Sequence, residues 1–221
     1  MEATYSGEQR VWLWALLLSS LTGISIWYTQ RLAAAPFTEW GAESVVTFSY
    51  FTNLTNAIVI VLAAALLRRR GRLYNWVKSS SVQAAVCLYI AFVGLGFWFI
   101  LGGPGELVTL MDWLPELTAH TLSPILGVVY YLRVVAGGRL RRRDPFIWLL
   151  YPIAYLLYWL FRGPRVGYYP YFFVDVAALG YSGVALWSGA LIVMFLLLGT
   201  LMLFIDRRVQ RTAVPRPSQT V

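Results

Sequence analysis

Residues 184–205 read VALWSGALIVMFLLLGTLMLFI, a stretch without one charge, and the run stops at Asp206-Arg207-Arg208. As a helix rising 1.5 Å per residue it reaches about 33 Å, enough to cross a hydrocarbon core of about 30 Å. Working outward from it, the same reading recurs five times, at residues 11–28, 45–67, 82–101, 117–136 and 146–161. The closing signals are Arg68-Arg69-Arg70-Gly71-Arg72, Gly102-Gly103-Pro104-Gly105, Gly137-Gly138 and Arg162-Gly163-Pro164. Glycine and proline stop these runs because neither continues a helix well. The expectation is an all-α polytopic membrane protein, a bundle of six transmembrane helices. It comprises one domain over residues 1–208 and a polar, disordered tail at 209–221. The first run, flanked by Glu2, Glu8 and Arg10 and followed by no small-residue cleavage site, reads as an uncleaved helix.

Composition agrees. The 221 residues are 59% hydrophobic and 13% charged, against about 45–50% and about 25% in soluble domains. That balance excludes a soluble globular domain and a disordered chain. The net charge of +8 would suggest nucleic acid in a soluble protein. Here the basic residues sit in short runs beside apolar segments, so no nucleic-acid partner is expected. Arg10, Arg68, Arg69, Arg70, Arg72, Lys78, Arg133, Arg139, Arg141, Arg142, Arg143, Arg207, Arg208, Arg211 and Arg216 fall on one side of the six-span plan, 15 of the 18 basic residues. The positive-inside rule makes that side, and both termini, cytoplasmic. Glu39, Glu43, Glu106, Asp112, Glu116 and Asp175 fall on the other side, in longer loops. One cysteine, Cys87, excludes an intramolecular disulfide and a cysteine zinc site. One histidine, His120, excludes bis-histidine haem and multi-histidine metal clusters. No cofactor and no metal are expected. No internal repeat supports an inverted-repeat transporter.

Polar side chains inside apolar helices need partners and are the informative ones. Ser49, Thr52, Asn53 and Asn56 are spaced i, i+3, i+4 and i+7, on one face if residues 45–67 form one helix. Such a stripe faces the bundle interior, either as interhelical glue or as a polar pocket. His120 lies about one turn below the outer end of the fourth run, and Thr52 about two turns below that of the second. The two can meet if the helices are neighbours. Pro124 frees a carbonyl four residues back and kinks the helix. Glu116, at i−4 from His120, either orients the imidazole or is a solvated interface residue. Asp175, after the aromatic run Tyr168-Tyr169-Pro170-Tyr171-Phe172-Phe173, either caps a helix or reaches into the bundle as an orienting acid.

Four pieces carry a resemblance: Tyr50-Phe51-Thr52-Asn53-Leu54-Thr55-Asn56; His120 with Pro124; Tyr151-Pro152-Ile153-Ala154-Tyr155 with Arg162-Gly163; and Tyr169-Pro170 through Asp175. Together they span about residues 10–206. With them the chain resembles the androgen-induced and androgen-dependent membrane hydrolases of animals and, more closely, their bacterial six-helix relatives. The resemblance implies a threonine hydrolase of fatty-acid esters of hydroxy fatty acids, in a bacterial inner membrane, with Thr52 as nucleophile and His120 as its partner. Chemistry agrees: a threonine hydroxyl needs a base to act as a nucleophile, and imidazole is the side chain suited to that near neutral pH. Asn53 or Asn56 is the expected donor to the oxyanion, with membrane lipids or lipid-like esters as partners and substrates. The rival readings are a non-catalytic scaffold or sensor and a small-molecule transporter.

Overall fold

The computed structural model describes residues 7–105 and 109–213. Among these the ordered elements are helices, with no strand. The all-α expectation therefore holds. Five helices, Gly7–Ala34, Phe51–Arg68, Ser80–Phe99, Asp144–Val166 and Val176–Gln210, are long and apolar enough to cross a membrane. This is the composition of an integral membrane protein. The helices group into two compact units, one ending at Val134 and the other starting at Val135.

The first unit begins with α1 (Gly7–Ala34). At 28 residues it spans about 42 Å, longer than the apolar run alone required. The second expected span is two helices. α2 (Trp40–Thr47) ends at Phe48, and α3 (Phe51–Arg68) starts after Tyr50, whose φ of −78° and ψ of 136° are extended. Ser49 consequently sits in the break, with its hydroxyl turned back to the Val45 carbonyl, and does not share the α3 face with Thr52, Asn53 and Asn56. α3 ends with Arg69 in the left-handed conformation, its N–H closing on the Ala65 carbonyl at 3.1 Å. A short α4 (Gly71–Val77) leads into α5 (Ser80–Phe99).

The fourth expected span departs from the plan. It is not one α-helix but a succession: α6 (Leu110–Leu117), a π-turn at Thr118–Leu122, α7 (Ser123–Tyr130) and a second π-turn at Tyr131–Val135. This is why five helices, not six, qualify as spans on length and composition. Two prolines lie in the first part of this run. Pro115 and Pro124 have no N–H, and each removes a rung from the helical ladder. A Thr109–Asp112 capping box starts α6.

α1 packs on α3, α3 on α5, α5 on α7, and α1 on the α6–α7 run, so that four helical segments close a ring. Leu13, Leu16, Val59, Leu62, Leu66, Leu88 and Ile90 fill it. Polar pairs cross it too. Ser19 and Ser20 reach Ser123 at 2.9 and 3.1 Å, and Tyr130 donates to Gln83 at 2.6 Å. Gly94 and Gly23 let α5 and α1 approach the π-turn. A Cβ on Gly94 would lie 2.7 Å from the Pro124 ring, and one on Gly23 would lie 2.9 Å from the Thr118 hydroxyl.

The second unit holds α8 (Asp144–Trp148), α9 (Leu150–Val166) and α10 (Val176–Ala213). α10 is kinked at Gly180, whose φ of 66° and ψ of 170° suit only glycine. It packs against α8 and α9. Asp206, fully buried, accepts the N–H groups of Gly137 and Leu140 at 2.8 and 3.0 Å, which fixes the preceding loop. The tail expected to be disordered from Val209 is still helical through Ala213. Residues 214–221 lie outside the described residues, as does Glu106.

The α5 contact gives a direct test. Gly94→Ala drives a methyl into a rigid proline ring and is expected to cost about 1–3 kcal/mol. Gly96→Ala, two residues on with open space around it, is expected to be neutral or to stabilise by about 0.5–1 kcal/mol. Denaturant unfolding of both variants in detergent checks the contrast.

Candidate functional site

The site lies within the first unit, where α3 meets the π-turn. Thr52 occupies the second position of α3, because the chain enters that helix only at Phe51. His120 occupies the middle of the π-turn. Thr52 Oγ1 and His120 Nε2 are 3.2 Å apart, across a sequence separation of 68 residues. Sequence alone put both at similar depth; the fold makes them bonded neighbours. With the Thr52 hydroxyl donating to Nε2, the ring carries its proton on Nδ1. Nδ1 faces Glu116 Oε2 at 2.9 Å. The two atoms are at ion-pair distance but out of line for a hydrogen bond. Glu116 therefore stands behind the imidazole while its side chain stays 22% exposed.

The imidazole is also held flat. The ring of Phe97, from α5, stacks on it with centroids 4.0 Å apart and planes 14° from parallel. Sequence reasoning missed Phe97, since nothing distinguishes it from the other aromatics of an apolar helix. Beside the stack, Trp98 donates to the Thr121 hydroxyl at 3.1 Å. Thr52, His120 and Glu116 are all partly exposed, so the cluster is not sealed in the core.

The asparagines are occupied. Asn56, fully buried, donates through Nδ2 to the Thr52 carbonyl at 3.0 Å and to the Ala119 carbonyl at 3.4 Å. The second bond follows from the π-turn. There Ser123 N–H reaches back five residues to Thr118. The next rung would join residue 124 to the Ala119 carbonyl, but Pro124 has no hydrogen to give. Asn56 supplies it. Asn53, also buried, donates through Nδ2 to the Thr47 carbonyl at 2.9 Å, closing the α2–α3 break. Both hydrogens of the Asn56 amide thus serve backbone carbonyls, whereas the Asn53 amide gives one of its two to Thr47. Pro115 is treated the same way. The Met111 carbonyl four residues before it accepts Gln30 Nε2 at 2.9 Å. Gln30 gave no signal in the sequence because it lies at the end of a long apolar helix.

Asp175 belongs to the second unit. Its Oδ1 accepts the N–H groups of Ala177 and Ala178 at 2.9 and 3.1 Å. It caps α10, the first of its two expected roles, and its carboxylate is committed there. The described residues contain no group of three or more His, Cys, Asp or Glu side chains able to hold a metal.

Thr52, His120 and Glu116 thus form a hydroxyl–imidazole–carboxylate series drawn from α3, the π-turn and α6. Such a series moves a proton from the hydroxyl to the ring while the carboxylate stabilises the imidazolium. No family model matches the chain, and no curated protein or solved structure is significantly similar to it.

The Thr52–His120 contact predicts a measurable coupling. A double-mutant cycle on Thr52→Val and His120→Gln, read by unfolding in detergent, is expected to give about 0.6–1.7 kcal/mol, the range for interhelical hydrogen bonds in membranes. Strict additivity would mean that the two side chains do not bond.

Proposed function

We propose that the chain is an integral membrane hydrolase of acyl esters with Thr52 as nucleophile, His120 as general base and Glu116 as the acid that orients the imidazole. The single observation that carries this reading is the 3.2 Å approach of Thr52 Oγ1 to His120 Nε2. Glu116 supports it from behind the ring at 2.9 Å. The resemblance to androgen-induced threonine hydrolases points to the same pair, and to esters of hydroxy fatty acids as substrates.

In this mechanism Thr52 Oγ attacks the acyl carbonyl carbon and its proton passes to His120 Nε2. The tetrahedral intermediate collapses, the alcohol leaves with the proton from Nε2, and Thr52 holds the acyl group as an ester. Water, deprotonated by His120, attacks that ester, and the second collapse releases the fatty acid and restores the threonine hydroxyl. Glu116 faces Nδ1–H throughout and balances the positive ring that forms in each half.

The Asn56 amide, with both hydrogens given to carbonyls, leaves the oxyanion to other donors. The backbone N–H groups of Thr52 and Asn53 are assigned that role. They lie in the first turn of α3, which has no intrahelical acceptor for them, and Tyr50 provides no side-chain cap. The break at 48–50 is what places them in a first turn. Losing one such donor costs about 10²–10³ in rate in hydrolases of this type. Backbone donors of this kind also survive side-chain substitution.

The charge distribution supports cytoplasmic termini and an inner-membrane location, with the Thr52–His120 pair in the outer half of the bilayer. An acyl ester with a long chain reaches such a site from the lipid.

Hydrolysis of short-chain aryl esters and branched fatty-acid esters by the purified protein in detergent tests the reading. Thr52→Ala is expected to abolish turnover, and Thr52→Ser to retain part of it. His120→Ala is expected to match Thr52→Ala, with the double variant no worse, because such residues act as a unit. Glu116→Gln is expected to lower kcat by about 10²–10⁴. A purely structural polar stripe gives no hydrolysis in the wild type; a transporter gives flux without it. Wild-type turnover by Thr52→Ala would refute the nucleophile.

A further inference from the structure

We propose that Asn56 is the positioning residue of this site: one side-chain amide clamps the carbonyl of the nucleophile's own residue and the carbonyl beside the base, and so fixes the distance between them. The proposal rests on the threonine-hydrolase reading above.

An amide nitrogen carries two hydrogens. In Asn56 the acceptors are the Thr52 carbonyl at 3.0 Å and the Ala119 carbonyl at 3.4 Å. Thr52 and Ala119 lie on different elements, α3 and the π-turn. Ala119 directly precedes His120, so its peptide sets the position of the His120 Cα. The clamp thus acts on the backbone at both ends of the Thr52–His120 contact. Other bonds in this unit that join helices, such as Ser19 to Ser123, touch neither residue.

The rest of the Asn56 side chain argues against simple glue. Its Oδ1 is buried and has no hydrogen-bond partner. An orphaned buried acceptor is a cost that an apolar residue of similar volume would not incur. The two N–H bonds must outweigh it, and they do so only because the Ala119 carbonyl is free. That carbonyl is free because Pro124 has no hydrogen to give in the π register. Pro124, in turn, is held against bare backbone at Gly94. The order of dependence runs from Gly94 and Pro124 through the Ala119 carbonyl and Asn56 to the separation of Thr52 and His120.

The experiment measures labelling of the full-length protein in detergent by a fluorophosphonate, with rates taken over a range of probe concentration. Thr52→Ala serves as the control for the residue labelled. Thermal unfolding is followed in parallel. Asn56→Leu, which keeps the number of heavy atoms and removes both donors, is expected to lower the maximal labelling rate about 10–100-fold while the half-saturating probe concentration stays within about twofold. A displacement near 1 Å at a reacting pair is enough for a loss of that order. Asn56→Gln keeps the N–H₂ and is expected to lose less than Asn56→Leu. Pro124→Ala perturbs the same bond from the other side, because it returns a backbone N–H that competes with Asn56. It is expected to slow labelling likewise, and the Asn56→Leu/Pro124→Ala pair to be non-additive. If Asn56→Leu does not fold, Pro124→Ala decides alone. Folded Asn56→Leu labelled at the wild-type rate, or a loss confined to the half-saturating concentration, overturns the role of Asn56 and leaves the hydrolase reading standing. A wild-type protein that takes no label at Thr52 overturns both.

Discussion

A proline has no backbone hydrogen to donate, and the first unit is organised around two places where that hydrogen is missing. In an apolar medium an unpaired carbonyl costs several kcal/mol, because no water can replace the lost partner. Pro115 leaves the Met111 carbonyl to Gln30 of α1, and Pro124 leaves the Ala119 carbonyl to Asn56 of α3. Each repair is made by a side-chain amide from a different helix. Each therefore ties the α6–α7 run to a neighbour more specifically than apolar packing does. The π-turn between the two prolines is the local response: its wider register shifts the side chains that follow and presents His120 to α3.

The site inherits its geometry from this constraint. Thr52 and His120 meet because α3 starts late, at Phe51, and because the facing helix is locally widened. Stacking by Phe97 restricts the imidazole plane, and Glu116 sits one turn back to face its second nitrogen. A hydroxyl, an imidazole and a carboxylate are thus arranged in series, each partly exposed, at the edge of an apolar bundle. The serine cluster at Ser19, Ser20 and Ser123 lies in the same bundle and contains no ionisable group. The Glu116–His120–Thr52 series differs in holding two ionisable side chains.

Much of this was legible from sequence, for a physical reason: a polar residue in an apolar helix is expensive, so Thr52, Asn53, Asn56 and His120 stand out against their neighbours. Position along the helices was not: Thr52, expected two turns into its helix, is the second residue of α3. The break at 48–50 was not, because Phe48, Ser49 and Tyr50 include neither glycine nor proline; the helical stripe drawn through Ser49 failed there. The π-turn was hidden for a related reason. Periodicity cannot distinguish one inserted residue from a slightly irregular α-helix, and the fourth span looked continuous. Whether an asparagine donates to substrate or to backbone depends on which carbonyls are free in another element, and that is a tertiary fact. Glu116 and Asp175 each carried two readings in sequence, because their placement depends on local geometry. One faces an imidazole and the other caps α10.

The central claim is that Thr52 carries the acyl group during turnover. Acid-quenching the full-length protein during hydrolysis of a chromogenic acyl ester, followed by peptide mapping by mass spectrometry, measures this directly. The account predicts an acyl mass increment on the peptide containing Thr52, located at that residue and missing from the Thr52→Ala protein. An increment located on another side chain, or steady turnover with no acyl adduct at any time point, would contradict it.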